Sequence, residues 1–579
     1  MASYNTPGIY LNRQEPLTPQ AINNETAVPA FIGLTKNTGM VNNESSVNKI
    51  TKIRSLVEYE SIFGLSQNEK FHVKFDENAQ VFELINTSLL AEKPTMSKFL
   101  HQSIALYFSN GGGDCYVISI GEHTREYDCL TAENFKRAID LLEEVEDVTL
   151  LSIPESILLD STEHYQVQQY ALLHCEKMQN RFFLLDVKQK SGVEKGNLES
   201  DIDDMRVQIN QSLNYGAAYY PYVRTNQARS YNESEVTVEY QLTRKALHHH
   251  YSNNFVTLNN QSTDQYGYLI DADNSGSNAG PYVVYIRISE TILVDSMGFQ
   301  VDNKGLRVAG IPAYGIFTDE QELHYLNHQG FIVDESEKNK ASHLKKTLAM
   351  KTLFLHAKLS YLADAKWPLA SPAVYTAASR VLAKNYRVLP PSSLVAGIIC
   401  QTDKSVGVWR APANVALKNI IEPCVAIDNS EQQQMNVDLI SGKSVNAIRH
   451  FIGKPPLLWG ARTLNGNNDE WRYVSVRRLF NWVESYLKMA TQFSLFESNT
   501  PFTWLKIKTI IENYLESIWQ QGALLGAVSE EAFFVNVGLG KTMTPQDVYN
   551  GIIHIEVGLA AVRPAEFVII TFTRETTKA

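Results

Sequence analysis

The sequence predicts a multidomain α/β protein with α+β parts: a core built on a parallel α/β layer, a β-rich insertion, and extended strand-like arms at both ends. Three observations predict it. Between Cys115 and Val223, short apolar runs alternate with amphipathic stretches, which is the trace of parallel strands joined by helical crossovers. From about 226 to 342 the texture shifts to Asn, Ser, Gly and Tyr with brief alternating runs such as Val236 to Gln241 and Tyr282 to Ile288, a surface β insertion. The first 25 residues carry Pro7, Pro16 and Pro19 among polar residues, which excludes helix and leaves few groups to bury.

In chain order, the N-terminal arm is followed by a buried strand over Thr26 to Leu34 and a short helix ending at Phe63 and Gly64. The parallel layer takes strands at Cys115 to Ile120, Val148 to Ile153, Phe182 to Val187 and Ala217 to Val223, with helices at about 132 to 146, 163 to 179 and 201 to 213. After the insertion, Leu344, Leu348, Leu353, Leu355, Leu359 and Leu362 form a broad apolar face that predicts a helix over Ser342 to Ala365. Two further helices are expected at Trp471 to Phe493 and Thr503 to Gln521. In the second, Trp504, Ile507, Ile511, Tyr514, Leu515 and Ile518 share one face, and Lys506, Lys508, Glu512 and Glu516 lie on the other. Strands are expected at Ile552 to Leu559, with Ile553, Ile555 and Val557 on one face, and at Phe567 to Thr573. The Arg563-Pro564 step interrupts the ladder between them, because Pro has no N–H to donate.

At 579 residues the chain exceeds the roughly 250 to 300 residues at which a single core stops growing. A formal charge of −11 argues against general nucleic-acid binding, which needs a clustered cationic excess. Cys115, Cys129, Cys175, Cys400 and Cys424 are odd in number and lack C-x-x-C spacing, as expected of reduced thiols in a protein made in the cytoplasm. No signal peptide is read at the N-terminus and no run of about 18 apolar residues occurs, so direct membrane insertion is not expected. A protein of this kind acting outside the cell would leave it as part of something larger.

Sites of chemistry are sparse. Gly538-Leu-Gly-Lys-Thr542 ends like a phosphate-binding loop, but Val535 stands where the pattern needs its first glycine; an ATPase using Lys541 is the enzyme alternative. Asn110-Gly-Gly-Gly-Asp114 runs into a strand and reads as a tight turn and not an anion nest. Asp271-Ala-Asp-Asn-Ser-Gly276 opens like a calcium loop, yet its twelfth position is Tyr282 where a bidentate Glu belongs. His248, His249 and His250 are consecutive and not spaced to share a helix face. Arg472, Arg477, Arg478 and Lys488 form either a basic face toward a neighbour or a solvated helix face. No catalytic, cofactor or metal residues are assigned. A secreted adhesin, suggested by the Asn- and Tyr-rich insertion, is opposed by the absence of a signal peptide.

Several segments in one order resemble the contractile tail sheath family of phages and related injection systems. They are Tyr4-Asn-Thr-Pro-Gly-Ile-Tyr10, Thr26 to Gly33, Phe108 to Val117, Gly407 to Asn414, Ile448-Arg449, Trp459 to Leu464 and Trp471 to Arg478. The most specific are Val537 to Thr544, Gly551 to Leu559 and Val562 to Ile569. The resemblance covers roughly 1 to 225 and 345 to 579. It implies a structural protein and no enzyme: stacked six-subunit rings around an inner tube, subunits joined by lent strands, and contraction that drives the tube through a target membrane. The implied partners are other copies of the chain, the inner tube protein, and baseplate and tail-terminator or cap proteins.

On that resemblance the domains are a 1–25 linking arm, a 26–225 tail-sheath core, a 226–344 outer insertion, a 345–430 second part of the core, a 431–561 tube-facing domain and a 562–579 linking arm. The expected linking residues are Tyr4, Pro7, Gly8, Ile9, Tyr10, Ile553, Ile555, Val557, Phe567, Ile569 and Thr571. Lys506, Lys508, Glu512 and Glu516 are expected on the tube-facing helix. Length and the large insertion favour an injection system over a true phage tail.

Overall fold

The computed structural model describes residues 26–37, 48–66, 68–76, 81–86, 99–122, 129–190, 196–243, 255–256, 285–287, 293–294, 300–302, 306–309, 316–326, 332–333, 345–365 and 371–566. The described residues divide into two compact units, one drawn from the ranges 1–66, 98–227 and 387–579, the other from 67–97 and 228–386.

The first unit is organised by a sheet of nine strands among the described residues. Its centre is a parallel run in the spatial order Cys115–Glu122, Pro29–Thr35, Leu150–Ser152, Phe182–Asp186, Gly216–Tyr220 and Val445–Arg449. Antiparallel strands close it: Ile50–Ile53 beside Cys115–Glu122, and Leu457–Trp459 beside Val445–Arg449. The strands expected from 115 to 220 are therefore present and parallel, but the last ends at Tyr220, and Val223 opens a separate strand, Val223–Ala228, paired antiparallel with Ile420–Pro423 in another sheet. The Pro29–Thr35 strand lies in the midst of the parallel run with all seven residues buried.

Both faces are covered, as a parallel sheet requires. Side-chain alternation divides each strand between two cores. Ala30, Ile32, Leu34, Phe183, Leu185, Ala218 and Tyr220 pack on the side of the helices Ala132–Leu141, Ser161–Met178 and Leu198–Gln208. Phe31, Phe182, Leu184, Ala217 and Tyr219 pack on the side of Leu100–Ser109 and Ser392–Ser405. One buried carboxylate joins the layers. Glu155 Oε1 accepts from the Phe99 and Leu100 amides at 2.6 and 2.9 Å, satisfying the start of the Leu100–Ser109 helix, while Oε2 accepts from Leu34 N at 2.6 Å.

The Asn110–Asp114 segment is the expected turn. Gly111 has φ +98°, and a Cβ on Gly112 would come within 2.5 Å of the Tyr107 ring. Asn110 holds the turn by donating to Leu106 O and accepting from Lys418 N.

The second unit departs from the sequence expectation in two ways. Residues 345 to 358 are not helical: Lys345–Lys358 is a strand, paired antiparallel with Thr237–Thr243 on one side and Ile316–Leu326 on the other, and helix is confined to Leu359–Ala363. Pairing along both edges satisfies the backbone by ladders, which outweighs the modest helix propensity of its Leu, Ala, Met and Lys. The unit is also larger than a 226–344 insertion. Phe71–Asp76 pairs parallel with Thr237–Thr243 and antiparallel with Val81–Asn86, so these two strands belong to it, as do the described residues of 345–386, which were expected in the core.

Candidate intersubunit surfaces

The C-terminal part of the first unit packs two helices on a β-hairpin. Pro501 starts the Pro501–Gln520 helix at a position where its missing N–H costs nothing. Thr503, Trp504, Ile507, Ile511, Tyr514, Leu515 and Ile518 are buried along it, which includes every apolar residue assigned to its inner face. Ile507, Ile511, Tyr514, Leu515 and Ile518 meet Leu479, Val483 and Leu487 of the Val474–Ala490 helix, and Val535 and Val557 of the hairpin, while Trp504 packs against Val537 and Met543.

The hairpin pairs Phe533–Val537 with Ile555–Leu559 antiparallel, Val535 opposite Val557. Among the described residues neither strand has a third neighbour, so both outer edges are unpaired. Ile553, Ile555 and Val557, expected as linking residues, pack against the hairpin's own domain core. What the hairpin offers outward is main chain, not these side chains.

The polar face of the Pro501–Gln520 helix is partly self-paired. Lys508 Nζ lies 3.3 Å from Glu512 Oε1, Gln520 donates to Glu516 at 3.1 Å, and Lys506 Nζ sits 4.3 Å from the centre of the Phe493 ring. Beside these groups Phe502 and Leu505 are 78% and 63% exposed. A mixed apolar and charged face of this kind suits a protein partner, since bare apolar surface is not left on a solvated helix without cost.

Arginines hold both ends of the described chain. Arg478 grips Asp403 with two bonds, Nη1 to Oδ1 at 3.0 Å and Nη2 to Oδ2 at 2.6 Å, and also donates to Thr26 O at 3.0 Å. Thr26 Oγ1 completes the cluster by donating to Asp403 Oδ2 at 2.6 Å. At the other end Arg462 binds Glu566, Nε to Oε1 at 2.9 Å and Nη2 to Oε2 at 2.5 Å. Arg462 and Arg478 are both buried. The chain past Arg563-Pro564 therefore stays attached to its own body as far as Glu566.

This corrects the reading of Arg477 and Arg478 as a basic face toward neighbour or solvent. Arg477 is buried, stacked 4.2 Å from the Trp471 ring centre, and bonded to Asn481 and Glu484 at 2.8 and 3.2 Å. Consecutive arginines on a helix look like surface charge because nothing local announces the carboxylates that neutralise them. Asp403 and Glu566 were missed for the same reason, whereas Glu484 lies two turns along the same helix from Arg477.

The Gly538–Thr542 loop is unsuited to phosphate. The amides of Lys541, Thr542 and Met543 all point at Gly538 O, at 3.2, 3.1 and 3.1 Å, so the donors that would cradle an anion are already used. Tyr4, Pro7, Gly8, Ile9, Tyr10, Phe567, Ile569 and Thr571 lie outside the described residues, as do the strand expected over Phe567 to Thr573, His248 to His250 and the Asp271 loop. Among the described residues, no helix is long and apolar enough to cross a membrane.

Comparison with known proteins agrees with this architecture. Residues 467–574 match the family model described as the phage tail sheath C-terminal domain. The tail sheath protein of Enterobacteria phage T4 is 26% identical over 133 residues, 22% of this chain and 19% of that protein. The tail sheath protein of Vibrio phage KVP40 is 26% identical over 141 residues, 24% of this chain and 20% of that one. The matched region thus spans about a fifth of the length of these curated relatives.

Among solved structures, a chain of the anti-feeding prophage baseplate matches with a TM-score of 0.53 and 23% identity, over 99% of this chain and 100% of that one. The helical sheath of the same particle in its contracted state gives 0.51 and 23%, again over 99% and 100%. The contracted sheath of the extracellular contractile injection system PVC gives 0.50 and 22%, over 99% of each chain. Residues 467–574 thus match a phage tail sheath C-terminal domain, and the chain shares the fold of the sheath and baseplate chains of these contractile particles.

Proposed function

We propose that this chain is a subunit of the contractile sheath of a phage-tail-like injection system. It polymerises as stacked six-subunit rings around an inner tube and, on contraction, drives that tube through a target membrane. The observation that carries the reading is the end-to-end likeness of fold, over 99% of the chain, to sheath chains of contractile particles. A contractile phage tail is the second reading, favoured by the T4 and KVP40 matches; these extend over about a fifth of each phage protein, whereas the likeness to the injection particles runs the length of the chain.

The joint between subunits is strand lending. An extended segment that pairs with an open sheet edge gains main-chain hydrogen bonds without fixing the orientation of the body it comes from. The hairpin of Phe533–Val537 and Ile555–Leu559 supports this with two edges unpaired among the described residues, and residues 1–25 and 567–579 are the segments to be lent, through Tyr4, Pro7, Gly8, Ile9 and Tyr10 at one end and Phe567, Ile569 and Thr571 at the other. An open edge is normally an aggregation hazard; here controlled polymerisation is its use. The Pro501–Gln520 helix faces the tube, with Lys506, Lys508, Glu512 and Glu516 beside exposed Phe502 and Leu505. Assembly takes place in the cytoplasm on tube and baseplate, a terminator or cap protein closes the stack, and contraction releases lattice energy without nucleotide.

Negative-stain microscopy of the full chain expressed alone tests the assembly. Long striated cylinders are expected. Removing residues 1–20, or residues 567–579 so that the Arg462–Glu566 pair is kept, should leave folded, soluble subunits without cylinders. Cylinders unchanged by both deletions would exclude strand lending.

A further inference from the structure

A cluster of possible metal ligands lies in the second unit. His72 on Phe71–Asp76, Glu239 on Thr237–Thr243 and His356 on Lys345–Lys358 come from three adjacent strands of one sheet. The register explains the meeting. Glu239 stands directly opposite His356 in the antiparallel ladder, and opposite Lys74 in the parallel one, two residues along from His72. Side chains two apart on a strand share a face, so all four groups point to the same side.

Their donor atoms all lie within 4.8 Å of one another. His72 Nε2 is 3.0 Å from Glu239 Oε2, yet it is buried and makes no hydrogen bond of acceptable geometry. The two imidazoles stand nearly perpendicular, ring centres 5.7 Å apart, and therefore do not stack. Glu239 is buried, and its other oxygen, Oε1, is 3.4 Å from Lys74 Nζ. A buried nitrogen without a hydrogen bond, beside a buried carboxylate and a second imidazole, is an arrangement that an ion-pair network alone leaves unsatisfied.

We propose that His72, Glu239 and His356 form a binding site for a late first-row divalent cation, zinc foremost, that staples three strands of the second unit together. Two imidazole nitrogens and one carboxylate oxygen are the donor types zinc prefers, whereas calcium and magnesium want oxygen cages. Zinc holds such ligands at about 2.0 to 2.2 Å, so the donor atoms must draw to within about 3.5 Å of each other, a small rotamer adjustment from their present spacing. Glu239 binds through Oε2, and Lys74 on Oε1 orients the ligating carboxylate, the role outer partners have at metal sites. Water completes the fourth position. The three ligands lie far apart in sequence, so the ion would close long loops and hold the unit's sheet in register.

The test is calorimetric titration of the chelator-treated full-length chain with zinc chloride, alongside cobalt(II) absorbance. One zinc per chain and a visible cobalt d–d band are expected. His356→Gln should weaken zinc binding at least tenfold and abolish the band, while replacing His248, His249 and His250 by Gln should change neither. If circular dichroism shows that His356→Gln is unfolded, His72→Gln takes its place with the same expectation. Absence of zinc binding, or binding that survives the His72 and His356 substitutions and is lost with the 248–250 histidines, would overturn the proposal.

Discussion

Replacing Arg478 with Met removes the guanidinium that neutralises Asp403 and ties down Thr26. The Arg478 and Asp403 side chains are each 3% exposed, so the carboxylate left behind has no solvent to turn to. Breaking a buried pair by removing one partner costs about 3 to 5 kcal/mol. Thr26 O also loses a donor, which adds up to about 1 kcal/mol but not additively, since the groups form one network. A loss of roughly 4 kcal/mol is a large share of the 5 to 15 kcal/mol typical of a folded domain. Urea unfolding followed by tryptophan fluorescence, below the concentration at which the chain assembles, measures it. Asp403→Leu with Arg478→Met should recover much of the loss, because no uncompensated charge remains. Arg137→Met is the control: Arg137 is 64% exposed beside Glu133, and its removal should cost under about 0.5 kcal/mol. If Arg478→Met costs no more than that control, or if the double substitution costs the sum of the singles, the clamp is not a coupled buried pair and the reasoning fails.

Glu155→Gln keeps one oxygen for the Phe99 and Leu100 amides but turns an N–H₂ toward Leu34 N, two buried donors face to face. A loss of about 2 to 3 kcal/mol is expected in the same unfolding assay; an unchanged midpoint would mean the carboxylate does not cap that helix. Burial lowers His164 to about 3 and His174 to about 4 from an ordinary 6.5, in each case with help from a nearby cation, Lys188 or Arg181. Both are neutral when folded, so the stability they contribute is complete above about pH 6.5 and is lost as pH falls toward 3 to 4. His164→Gln should reduce the slope of stability against pH between 6 and 4 by up to about 1.4 kcal/mol per unit. Asp186, raised to about 7 by burial against the opposing Ser392 bonds, has the reverse sign: its contribution falls as pH rises from about 4 to 7, and Asp186→Asn should steepen that same slope. Lys506→Glu with Lys508→Glu alters partly exposed groups and should leave the unfolding midpoint within about 0.5 kcal/mol; on the proposed tube-facing role of this helix it should impair co-sedimentation with the inner tube protein.

Where periodicity and burial coincide, the amino-acid sequence was sufficient. The Pro501–Gln520 helix buries every apolar residue assigned to its inner face, the 115–220 strands are parallel, and the Asn110–Asp114 turn has the positive φ its glycines imply. These are local consequences of a 3.6- or 2-residue repeat and of steric freedom at glycine.

What neighbours supply from far along the chain was not legible. Leu348, Leu353, Leu355 and Leu359 share a helical face on paper, but two flanking strands drew all but the last of them into a ladder. Pro29–Thr35 reads as a buried strand, yet its place between the 115 and 150 strands depends on partners more than eighty residues away. Arg477 and Arg478 carry the same charge in sequence whether solvated or buried. Only the tertiary fold brings Asp403 to Arg478, and brings His72, Glu239 and His356 from three strands onto one face. Charge and metal chemistry depend on distances between residues remote in sequence, and no local pattern encodes those distances.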